Sequence, residues 1–352
     1  MANTTSYYEK LAFEQSLESS GNFLSGWQSE NPFLNDLFTA VRERTSHMNY
    51  HRYLYFDEDE SLLTEISDLH VALDGLSPQH ILCGSGSTAL IFAFLTYLKH
   101  LNITKVYYIP PIYFTVYDAL ERYGIEMIAV SGLQPFEVGF SMNLPKVERS
   151  VLLLSDPVWY TGVSLTADVI DELKIWQEKT SSRIFIDGSL QYLSWDGSST
   201  ERTAGFNHDL TFRLLCPTKQ LAANGYRFAY MLTPDADYQK LSWIYSNIHG
   251  SASVESIAFA YESIPLLAKR ERSELLINYV KNRYERLINQ RVIESVIKPD
   301  CGYFMFGKTN LTVSKDQAVV NGKFFDQNNF PGYFKINLLS PSLSIIDGQV
   351  DI

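Results

Sequence analysis

Lys219 stands at a turn between two apolar runs, Leu210 to Leu215 and Phe228 to Leu232, where the chain breaks at Pro217 and returns through Gly225-Tyr226-Arg227. An ammonium is costly to bury unless something pairs or uses it, and a lysine amine is a nucleophile toward a carbonyl. Taken singly, Lys219 reads as a solvated loop residue; its neighbours set it apart. Arg227, eight positions on, carries the planar fork that grips a phosphate or a carboxylate. Asp187 closes the apolar run from Arg183. A lone carboxylate there is often a helix cap, yet at the tip of a buried strand it wants a cationic partner. Gly86-Ser87-Thr88 leads into the apolar stretch Ala89 to Leu101. Such a helix start offers free amides, the positive end of a dipole and two hydroxyls to a phosphate, although alone it is an ordinary capped helix after a glycine turn. Tyr113 follows Pro110-Pro111-Ile112 at the carboxyl end of a strand, where open α/β sheets place their ligands and where its ring can stack on a planar group.

These side chains need elements that deliver them to one place. From Glu60 onward the sequence predicts a helix to Leu73, a helix over Ala89 to Leu101, a strand Lys105 to Ile109, and a helix Phe114 to Tyr123. The strands EMIAV and SVLLL, a helix Ala167 to Lys179 and the strand RIFID continue the alternation. That pattern predicts an α/β fold, a three-layer sandwich with a mainly parallel sheet. Beyond Tyr230 the character changes. PDADYQKLSWIYSNIHG and the long, charged stretch from Ser253 to Gln290 read as helices, and short strands follow from about Arg291 (VIESVIKP, CGYFMFGK, YFKINLL). They predict a smaller α+β domain. The expected division is a large cofactor-binding domain over 46–285, with 1–45 and 286–352 forming the small one; Asn35 to Glu43 reads as a short helix in an otherwise irregular start.

Composition narrows the function classes. The chain has 352 residues, 45% apolar and 20% charged, ordinary for a folded protein of one or two domains. A net charge of −11 without a basic cluster argues against a nucleic-acid surface. Three scattered cysteines, Cys83, Cys216 and Cys301, fit reduced thiols rather than a disulfide framework or a zinc site. The histidines show no metal-ligand spacing, so no metal is expected. The start MANTTSYYEK lacks the pattern of a signal peptide, and no apolar run reaches the roughly 20 residues of a membrane span. A soluble, cytoplasmic protein is expected.

In order and spacing, Gly86-Ser87-Thr88, Pro111-Ile112-Tyr113, Asp156-Pro157-Val158-Trp159-Tyr160-Thr161-Gly162, Asp187, Thr218-Lys219 and the Gly225, Arg227, Tyr230 set resemble the fold type I pyridoxal 5′-phosphate enzymes of the class I/II aminotransferase-like family. The resemblance covers about Tyr53 to Tyr230 and, more loosely, the rest. It implies that Lys219, after Thr218, holds the cofactor as a Schiff base and then moves protons. Asp187 would pair with the ring nitrogen and Tyr113 would stack on the ring. Arg227 and the Gly86, Ser87, Thr88 helix start would take the phosphate, and Asp156 would stand near the cofactor's 3-oxygen. The resemblance further implies a homodimer with shared sites, in which a tyrosine of HRYLY, Tyr53 or Tyr55, reaches the partner's phosphate. The Gly26-Trp27 loop would close over a small-molecule amino substrate, or else be a glycine turn with a packed indole. The implied reaction moves an amino group between an amino compound and an oxo acid or aldehyde. Alternatives are a lyase, decarboxylase or cyclase acting on a basic amino acid, or a non-catalytic protein that binds the cofactor.

Several positions depart from the family pattern. Asp156 stands where the family has asparagine, a donor that an ionised aspartate cannot replace. Leu190 replaces a tyrosine that donates to the same oxygen, and Tyr192 is a candidate substitute. Ala229 replaces a glycine. In YFKINLL, Lys335 stands where the family carries the arginine for the substrate carboxylate, a point charge without the fork, unless it is only a surface residue. An acid gained at Asp156 and a fork lost at Lys335 predict a preference for a cationic amine or basic amino acid.

Overall fold

The computed structural model describes residues 26–56, 60–198, 200–309, 330, 333–341 and 343. Its centre is a seven-stranded sheet of β1 (His80–Gly84), β2 (Lys105–Tyr108), β3 (Glu126–Ala129), β4 (Val151–Ser155), β5 (Arg183–Asp187), β6 (Thr211–Leu215) and β7 (Ala229–Thr233). The strands lie in the order β1-β7-β6-β5-β4-β2-β3. Pairing is parallel from β6 to β3, while β7 runs antiparallel to both β6 and β1.

Covered sheets read as unbroken apolar runs, and here alternate residues of each strand feed opposite cores. Leu153 of β4, Phe185 of β5 and Met231 of β7 pack with the helices Ser87–His100 and Phe114–Tyr123. Leu152, Leu154, Ile184 and Ile186 face the other way, onto the helix Ala167–Thr180. Tyr230 and Leu232 meet the helices Asn35–Ser46, Glu60–Asp74 and Val254–Lys269 on that same second face. Helices on both faces of a mainly parallel sheet make the predicted three-layer sandwich.

A second sheet, β8 (Ile293–Ile297), β9 (Phe304–Thr309) and β10 (Tyr333–Asn337), is antiparallel in the order β10-β9-β8. It packs with Leu276, Ile277, Val280 and Leu287 of the helix Glu271–Asn289 and with Leu190 and Leu193 from the large sheet's loops. The charged stretch Ser253 to Gln290 is therefore two helices. Arg270 adopts the left-handed conformation, φ 59°, which ends one helix and lets the next leave for the small sheet.

Candidate active site

The antiparallel strand explains how distant residues meet. Because β7 runs backward, its first residue Ala229 pairs with Gly84 at the carboxyl end of β1, and Tyr230 pairs with Leu215 at the carboxyl end of β6. Gly86 just after β1, Lys219 just after β6 and Arg227 just before β7 are thus delivered to one edge. Asp187 ends β5 beside Leu214 and beside Ser155 of β4, so it joins them. A cleft at this edge is lined by Ser87, Thr88, Tyr113, Asp187, Lys219 and Arg227 together.

The fit to a phosphorylated cofactor can be tested on the backbone. Gly86 has φ 93° and ψ 160°, a region closed to residues with a Cβ. A Cβ built there would lie 2.6 Å from the Arg227 guanidinium, so the arginine occupies the space that a side chain at 86 would need. The guanidinium lies at the start of the Ser87–His100 helix, where the first amides and the helix dipole favour an anion. Asp187 is buried and oriented: its Oδ1 accepts from the Ser189 hydroxyl at 2.5 Å and from the Ser189 amide at 3.1 Å. Lys219 sits in a single helical turn, Pro217–Gln220, with its Nζ 5.7 Å from the centre of the Tyr113 ring. The arrangement offers a phosphate grip, a carboxylate for a protonated ring nitrogen, a ring to cover a planar group and an amine for an aldehyde, the donor set that pyridoxal 5′-phosphate requires. Gly86→Ala is expected to weaken retention of this cofactor by at least about tenfold, since backbone strain of about 1–3 kcal/mol adds to a displaced arginine. Equilibrium dialysis against free cofactor measures it, and unchanged retention would remove Gly86 from the grip.

Other expected site residues are not brought to the cleft. Asp156 is buried with its Oδ1 accepting from the Leu165 amide at 2.8 Å, so it faces away from the cleft that Ser155 and Pro157 line. The Thr218 hydroxyl donates to the Phe228 carbonyl at 3.1 Å and braces the lysine turn against β7. Gly26 contributes its carbonyl to Asn337 rather than to the cleft. Tyr55 lies in a different hollow with Phe56 and Tyr245. Tyr192 does not substitute for the missing tyrosine: its hydroxyl donates to Asp74 and accepts from Arg213, whose side chains are both buried. Lys335 is no surface residue. It is fully buried, its Nζ 3.3 Å from the centre of the Trp27 ring and 4.5 Å from that of Phe304. Trp27 does line the cleft, stacked on Trp159 at 5.7 Å.

Burial pushes the Asp156 carboxyl up to about 7, against the pull of the Leu165 amide. A carboxyl raised on folding contributes stability that is full below its unfolded pKa, about 4, and is lost as pH rises through 7. Asp156→Asn is therefore expected to gain in melting temperature relative to the wild type as pH goes from 5 to 8. Parallel curves for the two proteins would show that Asp156 titrates normally.

Sequence reasoning gave no role to Trp159, Tyr303 or Phe304, all of which line the cleft. It also passed over a buried polar cluster behind the sheet. Asp74 Oδ2 accepts from Arg213 at 2.7 Å and from Tyr192 at 2.5 Å and lies 3.2 Å from His70 Nδ1; His70 Nε2 is 3.0 Å from the Tyr230 hydroxyl. The available signal was Arg213 itself, a charge inside the apolar run TFRLL.

Comparison with known proteins bears on the family and the fold. A family model described as aminotransferase class I and II matches residues 19–316. No curated protein matches the chain. Solved structures of the same fold include the N-succinyldiaminopimelate aminotransferase of Mycobacterium tuberculosis, with TM-score 0.79 and 14% identity over 96% of this chain and 96% of that one. Substrate-bound BacF from Bacillus subtilis gives TM-score 0.79 and 14% identity over 98% and 96%. A double mutant of the Thermus thermophilus aspartate aminotransferase gives 0.77 and 15% over 98% and 95%. These likenesses establish the fold, and no described helix is long and apolar enough to cross a membrane. With the family match spanning most of its length, the chain belongs to the class I and II aminotransferases, a family of pyridoxal-phosphate-dependent transferases.

Proposed function

We propose that this protein carries pyridoxal 5′-phosphate on Lys219 and moves an amino group between an amino compound and an oxo acid or aldehyde. The reading rests on one observation: Lys219, Asp187 and Arg227 face one cleft, with the Arg227 guanidinium in the space that the Cβ-less Gly86 leaves open. When bound, the cofactor supplies a ring that accepts the electrons released as a bond at the substrate's α-carbon breaks. Arg227 and the amides that start the Ser87–His100 helix neutralise the phosphate, with Ser87 and Thr88 as further donors. Asp187, oriented by Ser189, would keep a proton on the ring nitrogen. Tyr113 would cover the planar ring, and the Lys219 amine would hold the aldehyde and serve as the group that moves a proton at the substrate's α-carbon.

The working form is a homodimer in which Tyr53 or Tyr55 reaches the partner's site. Supporting this, Leu54 bridges to Ala252, and exposed Tyr50, Tyr53, Trp243 and Ile248 lie on the segments leading to that bridge, as large apolar side chains awaiting a cover do. Borohydride reduction of the loaded protein and peptide mapping test the assignment. The pyridoxyl adduct is expected on the peptide holding Lys219, and an adduct elsewhere sinks it. An absorbance change on adding an amino donor, reversed by an oxo acceptor, separates transamination from a lyase or decarboxylase.

A further inference from the structure

The cleft's substrate side has a chemistry of its own. Among the described residues that line it, the charged ones are Asp187, Lys219 and Arg227, and all three serve the cofactor end. Away from that end the wall is mainly Trp27, Trp159, Tyr303, Phe304 and Leu190, with neutral Gln28 and Asn224. The two residues on which selection of a basic or carboxylate-bearing substrate would rest are both withdrawn. Asp156 is turned onto the Leu165 amide. Lys335 lies behind the wall, its ammonium against the faces of Trp27 and Phe304, which themselves border the cleft. Trp27 is fixed from several sides: it stacks on Trp159, meets Phe304 edge-on at 5.5 Å, and its backbone neighbours Gly26 and Gln28 are held by the Asn337 amide at 3.0 and 2.9 Å. A carboxylate on the carbon next to the amino group would leave water for a wall whose described residues are largely aromatic and offer it no cationic fork beyond the cofactor end. An apolar body would instead exchange water for aromatic contact.

We propose that the cleft takes a primary amine with an aromatic or branched apolar body and no carboxylate on the carbon bearing nitrogen, with Trp27 selecting it and Lys335 acting as a positioning residue that pins Trp27. This inference rests on the aminotransferase reading above. The amine's carbon is oxidised by two electrons to an aldehyde, water supplying its oxygen. The nitrogen and both electrons pass to an acceptor carbonyl compound, which is reduced to an amine and releases water. Acceptors of the same class, aldehydes with apolar bodies, are expected to be preferred over 2-oxo acids.

Matched pairs test it on the loaded protein: phenethylamine against phenylalanine, and phenylacetaldehyde against phenylpyruvate, each followed as a half-reaction by absorbance. The member without the carboxylate is expected to have the higher kcat/KM by on the order of a hundredfold. Calorimetry with borohydride-reduced protein, which cannot turn over, is expected to give the same order of affinity for phenethylamine over phenylalanine. Trp27→Leu should erase most of the preference. Lys335→Met, which keeps the length of the side chain, should raise KM for phenethylamine with kcat little changed. The proposal is overturned if phenylalanine reacts as well as or better than phenethylamine, or if Lys335→Met abolishes the phenylalanine reaction alone, the signature of a carboxylate grip. A pyridoxyl adduct on Lys219 together with such a result would fell this inference and leave the cofactor assignment standing; absence of the adduct would fell the assignment itself.

Discussion

Lys219→Ala is expected to reduce turnover by about three to four orders of magnitude while leaving the fold intact, since on the proposed reading it removes both a covalent tether and the group that moves the proton. The substitution spares the proposed phosphate grip, because Arg227 and the start of the Ser87–His100 helix belong to other segments. Cofactor should therefore still be taken up, now dialysable and without a borohydride-stable adduct. Added small amines should restore part of the lost rate by standing in for the missing base. Turnover within tenfold of wild type would assign the proton transfer to another residue.

Arg213→Met should destabilise the fold by about 3–5 kcal/mol, the usual cost of leaving one member of a buried ion pair alone. Asp74 and Arg213 are both buried, and Asp74 ties the end of the Glu60–Asp74 helix to the middle of β6. Burial by itself raises the Asp74 carboxyl, but the His70 hydrogen bond, the Arg213 charge and the Tyr192 hydroxyl outweigh it and hold the group well below the usual carboxylate range. A carboxyl depressed in this way contributes stability above its unfolded pKa, about 4, and loses it as pH falls toward the folded value. Urea unfolding should show wild type losing stability below pH 4 more steeply than Asp74→Asn. Arg213→Met combined with Asp74→Leu should cost less than the sum of the two single changes, and strict additivity would mean that the pair does not act as a unit.

The sheet was legible because β4, β5 and β6 are apolar runs short enough to be strands, and the helices between them carry apolar faces at helical spacing. Gly86, Asp187, Lys219 and Arg227 were legible for a related reason: each sits next to a strand end, where type and spacing survive in one dimension. What sequence could not supply was the direction of side chains. Asp156 occupies the cleft in register but not in orientation, and nothing in its neighbours announces the Leu165 amide as its partner. Tyr192 is two positions from Leu190, yet a left-handed backbone, φ 65°, turns it toward Arg213 instead. Arg270 offers no sign of a break, since arginine is a good helix former and the turn there is imposed by two different packing surfaces. Trp159 was visible as a residue and silent as a wall, because its role comes from Trp27, remote in the chain.

Asn337 closes β10 and reaches the carbonyls of Gly26 and Gln28 and the hydroxyl of Ser29 with one amide nitrogen, while Lys335 of the same strand lies against the Trp27 ring. The indole thus rides on the small sheet as a key rides on its bow, although its tip projects into a lock cut from the large one. One wall of the cleft's mouth is therefore carried by the small sheet, while Trp159, on which the indole stacks, comes from the loop after β4. Whatever holds β10 in place thus also holds one wall of the entrance.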